Sequence, residues 1–108
     1  MEQIYNKLVR DKIPEIIKSN GEKPIISILD YNSYKEELEK KLYEEYLEVI
    51  DSSYSSRIEE LADMLEVIKA LAQLEDKTLE DVIEVAKQKE EKRGAFDKKI
   101  FLEKVISE

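Results

Sequence analysis

Two glycines and two prolines in 108 residues leave this chain few places to turn sharply. Glycine and proline punctuate sheets and tight turns, whereas Glu, Lys and Leu, abundant here, favour helix. The expected fold is therefore all-α: a compact helical bundle of about four helices, with a long antiparallel hairpin at its centre. The length suits one domain, which is most often about 100–150 residues. No linker, repeat or low-complexity stretch divides residues 1–108. A chain this short buries only about two-thirds of its unfolded surface, so a second subunit would add stability.

The boundaries follow from caps and periodicity. A first helix is expected at Ile13–Asn20, with Pro14 in its first turn and Gly21 as its stop. Pro24–Leu29 reads as an extended segment, at most one short strand. Several N-cap candidates at Asp30–Ser33 precede a long helix over Ser33–Asp51, with Leu38, Leu42, Val49 and Ile50 on one stripe. Ser52–Ser55 is a turn. Ser56 and Glu59 match the S-x-x-E capping box of a helix running to about Glu75. That helix is apolar on more than one side, as the centre of a bundle or a dimer interface would be. Thr78 caps a last helix, Leu79–Arg93, on which Leu79, Val82, Ile83 and Ala86 recur at helical spacing, and Gly94 ends it. Pattern leaves the tail from Ala95 open between strand and helix.

What the chain lacks narrows its chemistry. It has no His, Cys or Trp. That excludes a Ser-His-Asp triad, a thiolate nucleophile, zinc and iron–sulfur sites held by Cys or His, and disulfides. A di-iron bundle normally needs Glu-x-x-His motifs and is disfavoured too. Any metal held by side chains must be a hard cation on carboxylates, with Mg²⁺ or Mn²⁺ foremost. The net charge of −8 argues against nucleic-acid polymers and anionic membranes as partners. No apolar run approaches the ~18 residues of a membrane span, so a cytoplasmic protein is expected.

The acids themselves are patterned. Glu45 and Glu48 are three residues apart and share a helix face, as do Glu60 and Asp63. With Tyr54 at the centre of the hairpin, Glu48 lies level with Glu60, and Glu45 with Asp63, at roughly 9 and 13 Å from the turn. Two antiparallel helices about 8–10 Å apart can thus direct four carboxylates into one volume. Glu45 falls on the inward stripe, and Asp63 interrupts an apolar helix. Four facing carboxylates repel unless protonated or bridged by cations, and Mg²⁺ so held normally acts on phosphates. The competing reading is a solvated face on an acid-rich chain, for which such spacing arises by chance. Glu66 is a possible fifth ligand, and Glu44 faces solvent or supports the cluster.

Basic residues occur in two places. Lys89 and Arg93 are four apart near a helix C-terminus, where cations also complement the helix dipole. Lys7, Arg10 and Lys12 lie in the N-terminal KLVRDK and carry no distinct signal alone.

In sequence, KLVRDKIPEII, KLYEEYLEV, EELADMLEVIKAL and KQKEEKRGAF together resemble the MazG-like branch of the all-α NTP pyrophosphatase superfamily. The match is to its small stand-alone house-cleaning members, with phosphoribosyl-ATP pyrophosphohydrolase a more distant one. It covers about Tyr5 to Leu102. The resemblance implies cleavage of nucleoside triphosphates between the α and β phosphates, giving a nucleoside monophosphate and pyrophosphate. It implies Mg²⁺ ligands at Glu45, Glu48, Glu60 and Asp63, with phosphate contacts from Lys89 and Arg93 and from Lys7, Arg10 and Lys12. One departure is Ala95, where the family's RGGF has a second glycine. Without histidine, the proton of an attacking water must go to a carboxylate, with Glu45 or Glu48 the catalytic candidate. Tyr31, Tyr34, Tyr43 and Tyr46 are candidates to stack on a base, although core or surface roles account for each. A homodimer or higher oligomer through the two long helices is expected. The alternative function is a non-catalytic helical module that binds a protein or senses nucleotides.

Overall fold

The computed structural model describes residues 2–52 and 56–107. It is all-α, with α1 at Ile13–Ser19, α2 at Tyr31–Asp51, α3 at Arg57–Leu74 and α4 at Leu79–Arg93. Among the described residues no strand forms, so Pro24–Leu29 is an irregular connection. The tail 95–107 is neither strand nor helix, apart from a turn in which the Lys99 N–H donates to the Phe96 carbonyl at 3.2 Å.

α2 starts two residues before its expected Ser33 because Asp30 is the effective cap. Its carboxylate accepts from the Ser33 N–H at 2.8 Å, satisfying a donor that the helix cannot. That bond holds the Asp30 carboxyl below its ordinary value. The capping box expected at Ser56–Glu59 is not made: Ser56 sits at the N-cap of α3 in a helical conformation, without a side-chain cap bond. A box forms instead on α4. Thr78 Oγ1 accepts from the Asp81 N–H at 3.1 Å, and the Asp81 carboxylate accepts from the Thr78 N–H at 2.8 Å. Gly21 and Gly94 both take φ near +80°, the left-handed region that lets a chain leave a helix without a Cβ clash. Ala95 needs no such freedom, since the non-glycine residues with positive φ are Asn6, Asp76 and Lys99.

α2 and α3 pack as the antiparallel hairpin, and α4 leans on α3. The inward stripe is as expected for Leu38, which is buried, and for Leu42 and Val49, which are half-buried; Ile50 faces out. α3 contributes buried Val67 and Ala72. Those three are the buried apolar residues among the described ones. Residues 53–55 of the expected serine turn, including Tyr54 at its centre, lie outside the described residues. The Cα radius of gyration is 18.9 Å, with extents of 68 × 34 × 23 Å. A closed globule of this length would have about 13 Å. The 21-residue α2 spans only ~31 Å, so the 68 Å long dimension is about twice the length of the longest helix.

Candidate metal centre

The hairpin brings three of the four expected ligands together. Glu45 comes from α2, Glu60 and Asp63 from α3, and one carboxylate oxygen of each lies within 4.8 Å of the others. Heptad-like packing explains why: Glu45 stands between Leu42 and Val49 on the buried stripe, and Glu60 and Asp63 lie one turn apart on the facing helix. All three are half-buried.

Their electrostatics follow from that proximity. The Glu45 carboxyl is raised above its ordinary value, first by burial and then by the negative charge of Asp63. Glu60 and Glu48 add to the effect, and Lys41 opposes it. The Glu60 carboxyl is raised by loss of solvation, then by Glu48, Asp63 and Glu59. Glu48 is exposed and stands outside the triad, yet its charge is felt by both glutamates. Glu66 is exposed and takes no part in the triad; Glu44 faces solvent with Lys41 at 3.8 Å.

The donor set fits a small hard cation. Three carboxylates supply only oxygen, and neither nitrogen nor sulfur competes. Around an octahedral Mg²⁺ at about 2.1 Å, neighbouring oxygens stand roughly 3.0 Å apart and opposite ones roughly 4.2 Å, so three oxygens already within 4.8 Å of one another would need only to draw together to hold such an ion. Carboxylates that repel each other would be drawn in by a shared cation.

Of the five expected phosphate-binding cations, one reaches the cluster. The Arg10 guanidinium donates from Nη2 to Asp63 Oδ1 at 2.8 Å, joining the N-terminal segment to α3. Sequence spacing could not have found it, because the partners are 53 positions apart. Lys7, Lys12, Lys89 and Arg93 are exposed, and none forms an ion pair with the triad among the described residues. Lys89 and Arg93 occupy the final turns of α4, consistent also with complementing its dipole.

Tyr43 and Tyr46 stack on each other, with centroids 6.1 Å apart and an interplanar angle of 27°. Tyr34 is half-buried and Tyr31 exposed. Tyr31 lines an open groove of about 350 Å³ between α2, α3 and α4, with Lys35, Ile68 and Val82. That groove holds none of the four acids. No helix is long and apolar enough to cross a membrane, among the described residues. In comparisons with known proteins, no family model, curated protein or solved structure gives a significant match to the chain.

Proposed function

We propose that this chain is a Mg²⁺-dependent nucleoside triphosphate pyrophosphohydrolase of the MazG-like type. It would act in the cytoplasm on damaged or non-standard nucleotides and release a nucleoside monophosphate and pyrophosphate. The observation that carries the reading is the triad of Glu45, Glu60 and Asp63, from two helices, with oxygens within 4.8 Å. The resemblance of the KLVRDKIPEII, EEYLE, EELAD and KRGAF segments supports the same chemistry.

Mg²⁺ would be held by Glu45, Glu60 and Asp63, and would supply charge neutralisation at the phosphates and acidification of water. Mn²⁺ is the natural substitute. Glu48 stands beside the triad without belonging to it, so its carboxylate is free to accept the proton of the attacking water. Oxygen of that water bonds to the α phosphorus as the bond to the bridging oxygen breaks, and pyrophosphate leaves with that electron pair. Arg10 is the cation nearest the site. Lys7, Lys12, Lys89 and Arg93 would meet the departing phosphates after movement of their segments.

The acting form is a homodimer or a larger assembly of such dimers. Fully burying a large apolar side chain contributes about 1.5–3 kcal/mol, and ordering one residue costs about 1–2 kcal/mol. Among the described residues only Leu38, Val67 and Ala72 are buried, and none of them completely, while Ile58, Leu61 and Leu65 on α3 and Leu47 and Ile50 on α2 face outward. A hairpin apolar on two sides needs a second cover, and another copy offers the same helices.

The test is pyrophosphate release from a panel of standard and modified triphosphates, with and without Mg²⁺. The expected result is turnover of at least one nucleotide only with the metal. No turnover by folded protein, of mass a multiple of 12.7 kDa in solution, would defeat the enzyme and leave the non-catalytic module.

A further inference from the structure

Asp63 is claimed twice, by the triad and by an arginine from a distant part of the chain. Arg10 Nη2 lies 2.8 Å from Asp63 Oδ1, and their side chains remain 57% and 47% exposed. Asp63 therefore has its charge balanced by a guanidinium at one oxygen, while its other oxygen has no partner among the described residues. An ion pair so open to solvent is weakly held and easily exchanged. A divalent cation brought to the same carboxylate carries twice the charge and repels the guanidinium.

We propose that Arg10 is an internal counter-cation, which holds Asp63 in the metal-free chain and is displaced when a divalent ion binds. The proposal rests on the metal-site reading above and adds to it a switch. Metal entry would release the Arg10 guanidinium from α3, and this planar donor, suited to phosphate oxygens, would become available to substrate. The same contact would have the opposite meaning if Arg10 steadied Asp63 as a ligand, because supporting hydrogen bonds normally strengthen metal binding. The two roles differ in the sign of one measurement.

The probe is Mn²⁺ alone, titrated by electron paramagnetic resonance into the full-length protein and its Arg10→Gln, Arg10→Lys and Lys12→Gln variants. A second readout is the Arg10 Nε–Hε NMR resonance during Mg²⁺ titration, assignable because the chain has only Arg10, Arg57 and Arg93. Displacement predicts that Arg10→Gln binds Mn²⁺ at least threefold more tightly than wild type. Lys12→Gln changes affinity by less than half as much, and Arg10→Lys falls between wild type and Arg10→Gln. The Arg10 resonance moves toward the position of a free side chain as Mg²⁺ saturates. If wild type binds Mn²⁺ but Arg10→Gln binds it less than threefold more tightly, equally or more weakly, the counter-cation role is overturned and the metal site stands. A Lys12→Gln effect as large as that of Arg10→Gln overturns it too, by assigning the gain to net charge. If wild type binds no Mn²⁺, both readings fall.

Discussion

Replacing Glu45 by Gln should make the chain more stable without metal and less stable with it. The oxygens of Glu45 and Asp63 lie within 4.8 Å, so two charges there repel by at least about 0.9 kcal/mol even at the dielectric constant of water. Salt at 0.15 M, with a Debye length of ~8 Å, reduces this to about 0.5 kcal/mol. The lost attraction to Lys41 subtracts roughly 0.3 kcal/mol, and the Arg10 guanidinium on Asp63 offsets part of the repulsion, while relief of the burial of the Glu45 charge, the largest cause of its raised carboxyl, and of repulsion from Glu60 and Glu48 favours Gln. Gln matches Glu in size and helix propensity, so the change is electrostatic. The expected metal-free gain is small, a Tm rise of roughly 1–4 °C. In Mg²⁺ at about ten times its dissociation constant, wild type gains about 1.4 kcal/mol, or roughly 5–10 °C. The variant, lacking one ligand, gains much less, and the order of the two proteins inverts. Thermal unfolding at one protein concentration, with EDTA and then with Mg²⁺, reads both effects. Equal Mg²⁺ shifts in the two proteins would exclude Glu45 as a ligand, and a variant less stable than wild type in EDTA would exclude net repulsion at that position.

Asp63→Asn keeps the side chain's shape and removes its charge, so Mg²⁺-supported kcat/KM should fall at least about 100-fold, equivalent to roughly 2.7 kcal/mol; steady-state pyrophosphate release measures it, and retention within about threefold would show that Asp63 is not a ligand. The triad also sets a pH dependence. Glu45 and Glu60 have folded values raised above their ordinary 4.5, so their contribution to stability is full below about that pH and is lost as pH rises through the folded values. Asp81 has the opposite sign: lowered from 3.8 by its bond to the Thr78 N–H, it contributes above that pH, and the contribution is lost as pH falls through its folded value. Denaturant midpoints of the metal-free protein should therefore rise as pH falls from 7 toward 5, and then decline below about 4, while Mg²⁺ flattens the upper limb; a midpoint that falls steadily from pH 7 would contradict the assigned repulsion.

Helices and their ends were legible where local chemistry decides them. Gly21, Gly94 and Thr78 mark their boundaries correctly, since left-handed backbone and capping oxygens act within a few residues. Ser56 shows the limit of such motifs: its S-x-x-E pattern is present, yet the backbone enters α3 already helical and leaves no cap geometry. Pro24–Leu29 has strand-like residues but no partner strand to pair with among the described residues, so propensity alone could not make it a strand. For the site, the level placement of acids across the hairpin locates Glu45, Glu60 and Asp63. Glu48 shares a face with Glu45 but stands outside the triad, because spacing along one helix does not determine how the neighbouring helix is rotated. Arg10 was legible only through the resemblance of its segment, since the fold alone joins it to Asp63 across 53 positions.

Hydrolysis of a triphosphate in H₂¹⁸O with Mg²⁺, followed by mass spectrometry of the products, reads which phosphorus the water attacks. Attack on the α phosphorus at the carboxylate triad predicts one ¹⁸O in the nucleoside monophosphate and none in pyrophosphate. Label in pyrophosphate, or release of orthophosphate and nucleoside diphosphate in its place, would contradict it.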